Sequence, residues 1–266
     1  MRRILTAFLL IPLTVGLVLW AHPYLLVAVQ LVITLTALWE FFRLAEAATD
    51  AKVLRGTGYA FATAVALCPL TGSLPTNVLM AAVFFLMMLL VVAMSPRREI
   101  KGYLASVSTT LFGVVYVAVP LSLLVWVCLQ EDGRFLILFA LVVIWVSDSA
   151  AYFVGRTWGK HKSSPRISPN KTWEGTVTSL AAALLVGLLY AQFLWGVDPY
   201  WEPVLLAAIL NVAGQLGDLG ESALKRSAGV KDSSHLLPGH GGVLDRIDAL
   251  LLAAPVLWYY WLGKGS

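Results

Sequence analysis

Five carboxylates stand in or beside apolar runs, where a charge is costly. Asp148 lies in IWVSDSAAYFVG, Asp218 and Glu221 in QLGDLGESALKR, and Asp245 and Asp248 in GGVLDRIDALLLAAPV. An ionised side chain at the centre of a membrane helix costs about 3 kcal/mol even on lenient scales, so each is a functional candidate. Asp245 and Asp248 are three residues apart, and Asp218, Glu221 and Lys225 follow at i, i+3 and i+7, so each set projects from one helix face. Two acidic faces in a dry setting call for a shared cation. Oxygen donors favour a hard ion such as Mg²⁺, which keeps waters and binds substrate phosphates. The Cys/His set of a zinc site is missing from the sequence. A buried ion pair with Lys225 or Arg246 is the alternative for any one of these acids.

The segment LPGHGGVLDRID places Gly239, Gly241 and Gly242 just before the last apolar run. Backbone N–H groups at the positive end of a helix suit a phosphate, although glycines also simply make turns. The pattern is neither a P-loop nor a dinucleotide fingerprint. Lys225, Arg226, Lys231 and Arg246 add positive charge nearby, and SPNKTWEG supplies Asn170 and Lys171. His240 has two readings, a donor to phosphate or a turn stabiliser. Metal carboxylates, a phosphate loop and cations together predict phosphoryl or nucleotidyl transfer, chemistry that depends on positioning and charge neutralisation.

The elements that must position these residues are membrane spans. Of 266 residues, 59% are hydrophobic and 13% charged, with a mean hydropathy of +0.80. One soluble core cannot hide so much apolar surface. Nine stretches approach the length that crosses a bilayer: about 4–20, 24–40, 57–72, 76–94, 103–129, 135–154, 176–195, 203–223 and 243–262. Pro120 predicts a kink or tilt in the fifth. The charged start and apolar run of residues 1–20 lack a convincing cleavage site and read as an uncleaved first span. Cys68 and Cys128 lie inside apolar runs and read as small buried hydrophobes.

With the N-terminus in the cytosol, all of the 19 basic residues except Arg134 and Lys264 fall on the cytosolic side, as the positive-inside rule requires. The expected fold is all-α, a polytopic membrane bundle of about nine transmembrane helices with a cytosolic N-terminus. Residues 1–130 form N-terminal spans. Residues 131–266 form the catalytic region, with cytosolic loops at 155–175 and 224–242.

The run from Ser222 to Asp248, SALKRSAGVKDSSHLLPGHGGVLDRID, resembles the signature of phosphatidate cytidylyltransferases, also called CDP-diacylglycerol synthases. Ser222, Lys225, Arg226, Lys231, Asp232, Pro238, His240, Gly241, Gly242, Asp245, Arg246 and Asp248 carry the match. DSAAYFVGRTWGKHK from Asp148, SPNKTWEG from Ser168, and GDLGES with Asp218 also resemble the family. Two places depart from its pattern: Thr178-Ser179, where paired glycines are common, and Ser233-Ser234-His235.

The resemblance implies the reaction of CTP with phosphatidic acid to give CDP-diacylglycerol and pyrophosphate. It implies Mg²⁺, with K⁺ as a companion ion, at Asp218, Asp245 and Asp248. Those three with Lys225 and Arg226 are the expected catalytic residues. Asn170, Lys171, Ser222, Lys231, His240, Gly241, Gly242 and Arg246 are the expected substrate contacts. A homodimer in a bacterial inner membrane, with its site facing the cytosol and no nucleic-acid partner, is also expected. A related CTP-dependent lipid enzyme, such as a polyprenol kinase, shares the phosphate chemistry. An ion or solute transporter is the non-enzymatic alternative, since intramembrane acids also line transport pathways.

Overall fold

A computed structural model describes residues 2–49, 52–71, 79–80, 82–83, 85–87, 89, 102–195, 200–236 and 241–264. The helices are α1 (Arg2–Trp20), α2 (Pro23–Ala48), α3 (Arg55–Leu67), α4 (Tyr103–Cys128), α5 (Gly133–Thr157), α6 (Trp173–Tyr190), α7 (Trp201–Ser227) and α8 (Leu244–Lys264). Strands β1 (Lys162–Ser164) and β2 (Ser168–Thr172) form an antiparallel hairpin between α5 and α6. Among the described residues, five helical stretches are long and apolar enough to cross a membrane: Pro23–Ala48, Tyr103–Cys128, Gly133–Thr157, Trp173–Phe193 and Trp201–Ser227. This is the architecture of a helical membrane protein. Its exposed apolar side chains, among them Val177, Leu185 and Leu188 on α6, form the kind of surface that lipid covers.

Several boundaries differ from those predicted. The helix α2 runs eight residues beyond the expected end and carries Arg43 and Glu46 with it. The predicted third span is only α3 followed by a 3₁₀ turn, Cys68–Thr71; Pro69 lacks the N–H that would continue the α-helical ladder. The expected fourth span, 76–94, lies largely outside the described residues. Helix α4 continues through Pro120, which is buried. The loop predicted over 155–175 is mostly ordered structure: α5 extends to Thr157, the hairpin follows, and α6 begins at Trp173.

The chain divides into two compact units. The first comprises Met1–Gln130 and Leu224–Ile247. Its core is aromatic, with Phe41 against Phe42, Phe112 and Tyr116, and Phe42 against Tyr59. The Ser122 hydroxyl donates to the Val65 carbonyl at 2.7 Å. The second unit comprises Glu131–Ala223 and Asp248–Ser266. Phe139, Ala183, Ala207, Leu210, Leu251 and Leu257 are buried within it. There the Asn211 side-chain amide donates to Ser179 Oγ at 2.7 Å, and Gln215 Nε2 donates to Asn211 Oδ1 at 2.8 Å.

Candidate active site: two polar clusters

In the second unit, Asp218, Glu221 and Asp248 each offer a carboxylate oxygen, and these atoms all lie within 4.8 Å of one another. Asp218 and Glu221 stand one turn apart on α7, and Asp248 comes from α8. Gly217 permits the approach, because a Cβ there would collide with the carbonyl oxygen of Asp248. Three carboxylates so close cannot all remain ionised without a compensating cation. One compensating charge is Lys171, whose Nζ lies 2.6 Å from Asp218. The same ammonium donates to the Gln215 carbonyl at 3.5 Å, and the Ser222 hydroxyl donates to Asp218 Oδ1 at 3.4 Å. Asp148, exposed on α5, is within electrostatic range of both Asp218 and Lys171. The donor set is all oxygen, which fits Mg²⁺.

The hairpin is what presents Lys171. Thr172, the residue before α6, has extended backbone and its hydroxyl accepts from Gly175 N at 3.2 Å, an N-cap. Glu174 in the first turn accepts from the His161 amide at 3.2 Å and lies 2.7 Å from His161 Nδ1. Trp173 N donates back to the His161 carbonyl at 2.9 Å. The SPNKTWEG motif is thus a strand tied to a capped helix, with Asn170 exposed and Lys171 half-buried.

The first unit holds the other cluster. Asp245 accepts from Lys225 Nζ at 2.5 Å on Oδ1. Its Oδ2 accepts from Ser233 N at 3.0 Å, Ser233 Oγ at 2.9 Å and Gly242 N at 2.7 Å. Beside it lies Glu40 of α2, with 0% of its surface exposed. Its Oε1 accepts from Ser234 Oγ at 2.5 Å and Val243 N at 3.0 Å; its Oε2 accepts from Ser233 Oγ at 3.1 Å and Leu244 N at 2.6 Å. Two carboxylates therefore cap the start of α8, as the positive end of a helix favours.

This changes how the expected site reads. The Gly242 amide, expected with those of Gly239 and Gly241 to be available for a phosphate, donates to Asp245 instead, and the Val243 and Leu244 amides donate to Glu40. Of the basic residues near this cluster, Lys225 is half-buried, and Arg226, Lys231 and Arg246 are exposed. Arg226 also donates to the Val230 carbonyl at 3.0 Å. Asp245, expected beside Asp218 and Asp248 as a ligand, makes the ion pair that was its alternative reading, with Lys225. Glu221 joins the carboxylate group although it was not among the expected ligands. His240 lies outside the described residues, as do Pro238 and Gly239. Glu40 was missed altogether, although a carboxylate inside LWEFFRL carried the same signal as Asp148.

A mostly helical scaffold, with helices long and apolar enough to cross a membrane, carries an oxygen-only acidic group in one unit and a cluster of cations in the other. The sequence as a whole is more particular: residues 1–262 match the cytidylyltransferase family, and the chain belongs to it. Relatives include phosphatidate cytidylyltransferases from Staphylococcus haemolyticus, 44% identical over 147 residues, and from Bacillus subtilis, 48% identical over 131 residues. A third, from Haemophilus influenzae, is 44% identical over 133 residues. These matches cover 55%, 49% and 48% of this chain and 56%, 49% and 46% of the relatives. The chain thus spans about half the length of the curated relatives it matches.

Proposed function

We propose that the chain transfers the cytidylyl group of CTP to phosphatidic acid, releasing pyrophosphate and leaving CDP-diacylglycerol in the membrane. The Asp218, Glu221 and Asp248 group with Lys171 carries this reading, in a chain whose relatives bear the name phosphatidate cytidylyltransferase. The lipid phosphate is already an anionic nucleophile, so a strong base is not needed. One of its oxygens bonds to the α-phosphorus of CTP as the bond from that phosphorus to the oxygen bridging the α- and β-phosphates breaks. That oxygen leaves with the pyrophosphate.

The obstacle is repulsion between two polyanions. Asp218, Glu221 and Asp248 would hold Mg²⁺, with K⁺ as a companion ion, and the bound cation would supply charge neutralisation for the phosphates. Lys225, Arg226, Lys231 and Arg246 hold phosphate oxygens, and Asn170 and Lys171 complete the nucleotide contacts. Lys171 also offsets charge on Asp218.

The reading includes nine spans, a cytosolic N-terminus, a catalytic region over 131–266 and a homodimer in a bacterial inner membrane. It is supported by the distribution of basic residues and by the cytosolic origin of CTP. The test is labelled-lipid formation by the purified protein in mixed micelles with CTP, phosphatidic acid and Mg²⁺. A CDP-lipid that requires both substrates sustains the proposal; a folded protein that makes none, with phosphatidate or with a polyprenol acceptor, removes it.

A further inference from the structure

We propose that Glu40 is a positioning residue for this site, aiming the Lys225 ammonium through a hydrogen-bonded chain that begins in the second helix. The inference rests on the cytidylyl-transfer reading, in which Lys225 holds a phosphate. Glu40 Oε2 meets Ser233 Oγ at 3.1 Å, that hydroxyl meets Asp245 Oδ2 at 2.9 Å, and Asp245 Oδ1 meets Lys225 Nζ at 2.5 Å. Every member is shielded: Ser233 is 7% exposed, Asp245 8%, and the Lys225 side chain 11%. The backbone comes close as well, since a Cβ at Gly242 would collide with both Ser233 Oγ and Glu40 Oε1.

The choice of a carboxylate is the telling point. Apolar packing would fasten a loop to a helix without the desolvation cost of a buried charge. What a carboxylate adds is direction. Two coplanar oxygens that receive two serine hydroxyls and the amides of Val243 and Leu244 fix both the loop and the first turn of α8. Asp245 sits in that turn, so its orientation, and with it that of Lys225, follows from Glu40. A displacement of about 1 Å in a group that meets the reacting phosphates can cost on the order of 100-fold in rate.

The experiment compares Glu40→Gln, Ser233→Ala and the double variant in the purified full-length protein. Glu40→Gln keeps the shape but forces an NH₂ group toward backbone N–H donors. We expect folded proteins in which kcat falls about 10- to 100-fold, with the double variant no worse than the worse single one, as members of one chain should behave. A role confined to stability would lower the melting temperature and leave the turnover of the folded fraction unchanged. A folded Glu40→Gln protein with wild-type kcat overturns the proposal, as does a double variant whose loss is the product of the two. Should Glu40→Gln fail to fold, Ser233→Ala decides alone, because it breaks the chain and keeps both backbone contacts of Glu40. Should the wild type make no CDP-lipid, the functional reading fails, and hydrogen exchange then decides the positioning. Faster exchange at residues 242–244 in Glu40→Gln, with α4 unchanged, sustains it; equal exchange overturns it.

Discussion

Lys171, on the second strand of the hairpin, places its ammonium 2.6 Å from the carboxylate of Asp218 on α7. The pair is only partly shielded, with side-chain exposures of 26% and 41%, so its share of stability is small, under about 1 kcal/mol. Its value lies in charge, since it sets one cation against a group of three acids. Lys171→Met should therefore leave the melting temperature of the purified protein nearly unchanged and lower CDP-lipid formation by about tenfold or more. Undiminished turnover in that variant would remove Lys171 from the site.

Metal removal is the second test. Chelation of divalent ions should abolish turnover, and Mg²⁺ should restore it. Asp248→Asn and Glu221→Gln should each raise the Mg²⁺ concentration for half-maximal rate by about 10- to 100-fold. Asp245→Asn should act chiefly on kcat, because its partners are Lys225, Ser233 and Gly242. If instead Asp245→Asn and Asp248→Asn shifted the Mg²⁺ titration and Glu221→Gln did not, the ligand set would be the one expected from family resemblance.

Gly217→Ala probes the helix contact that makes the acidic group possible. The added methyl has the Asp248 carbonyl in its way, so α7 and α8 must separate. Destabilisation of about 1–3 kcal/mol is expected, read as a lower melting temperature, together with a weaker response to Mg²⁺. A variant with wild-type stability would show that the two helices approach less closely than described.

Ser179→Ala tests a polar contact away from the carboxylates. It leaves the buried Asn211 amide without the hydroxyl 2.7 Å away. Polar contacts between membrane helices average about 0.6 kcal/mol and reach about 1.7, so a modest drop in unfolding midpoint with normal turnover is expected. A large loss of activity would assign Ser179 a part in the chemistry.

Orientation is open to direct labelling. Cys68 and Cys128 are both buried, which gives a quiet background for single cysteines introduced at exposed positions. Lys231→Cys should react with an impermeant reagent from the cytosolic side alone, and Glu131→Cys from the opposite side alone. The reverse pattern would invert the proposed topology.

Some of this was legible in the residues themselves. Periodicity at 218, 221 and 225 placed these residues on one helix face, and acids within apolar runs pointed to α5, α7 and α8, the helices that carry them. The ends of the helices were less legible. The span ending near 40 hid the last turns of α2, because Arg43 and Glu46 look like the start of a loop when hydropathy alone is counted. The hairpin escaped because its stability comes from the cap at Thr172 and the ties between His161 and Glu174, not from alternating apolar residues. The partner of Glu40 could not be read at all. Its donors are two serines and two backbone amides almost 200 residues away, and backbone amides leave no trace in a sequence. The same limit applied to Gly242, whose N–H looked available because its bond to Asp245 leaves no mark in the sequence.

That remoteness bears on how the chain is made. Ser233 follows Glu40 by 193 residues and Leu244 by 204. During synthesis α2 is complete long before any of its four donors exists. Until then its carboxylate must be satisfied by water, by lipid headgroups or by a proton, and a chain that stops short of residue 233 never relieves it. The contact thus joins a segment made early to one made late: α8 closes a linkage left waiting in α2.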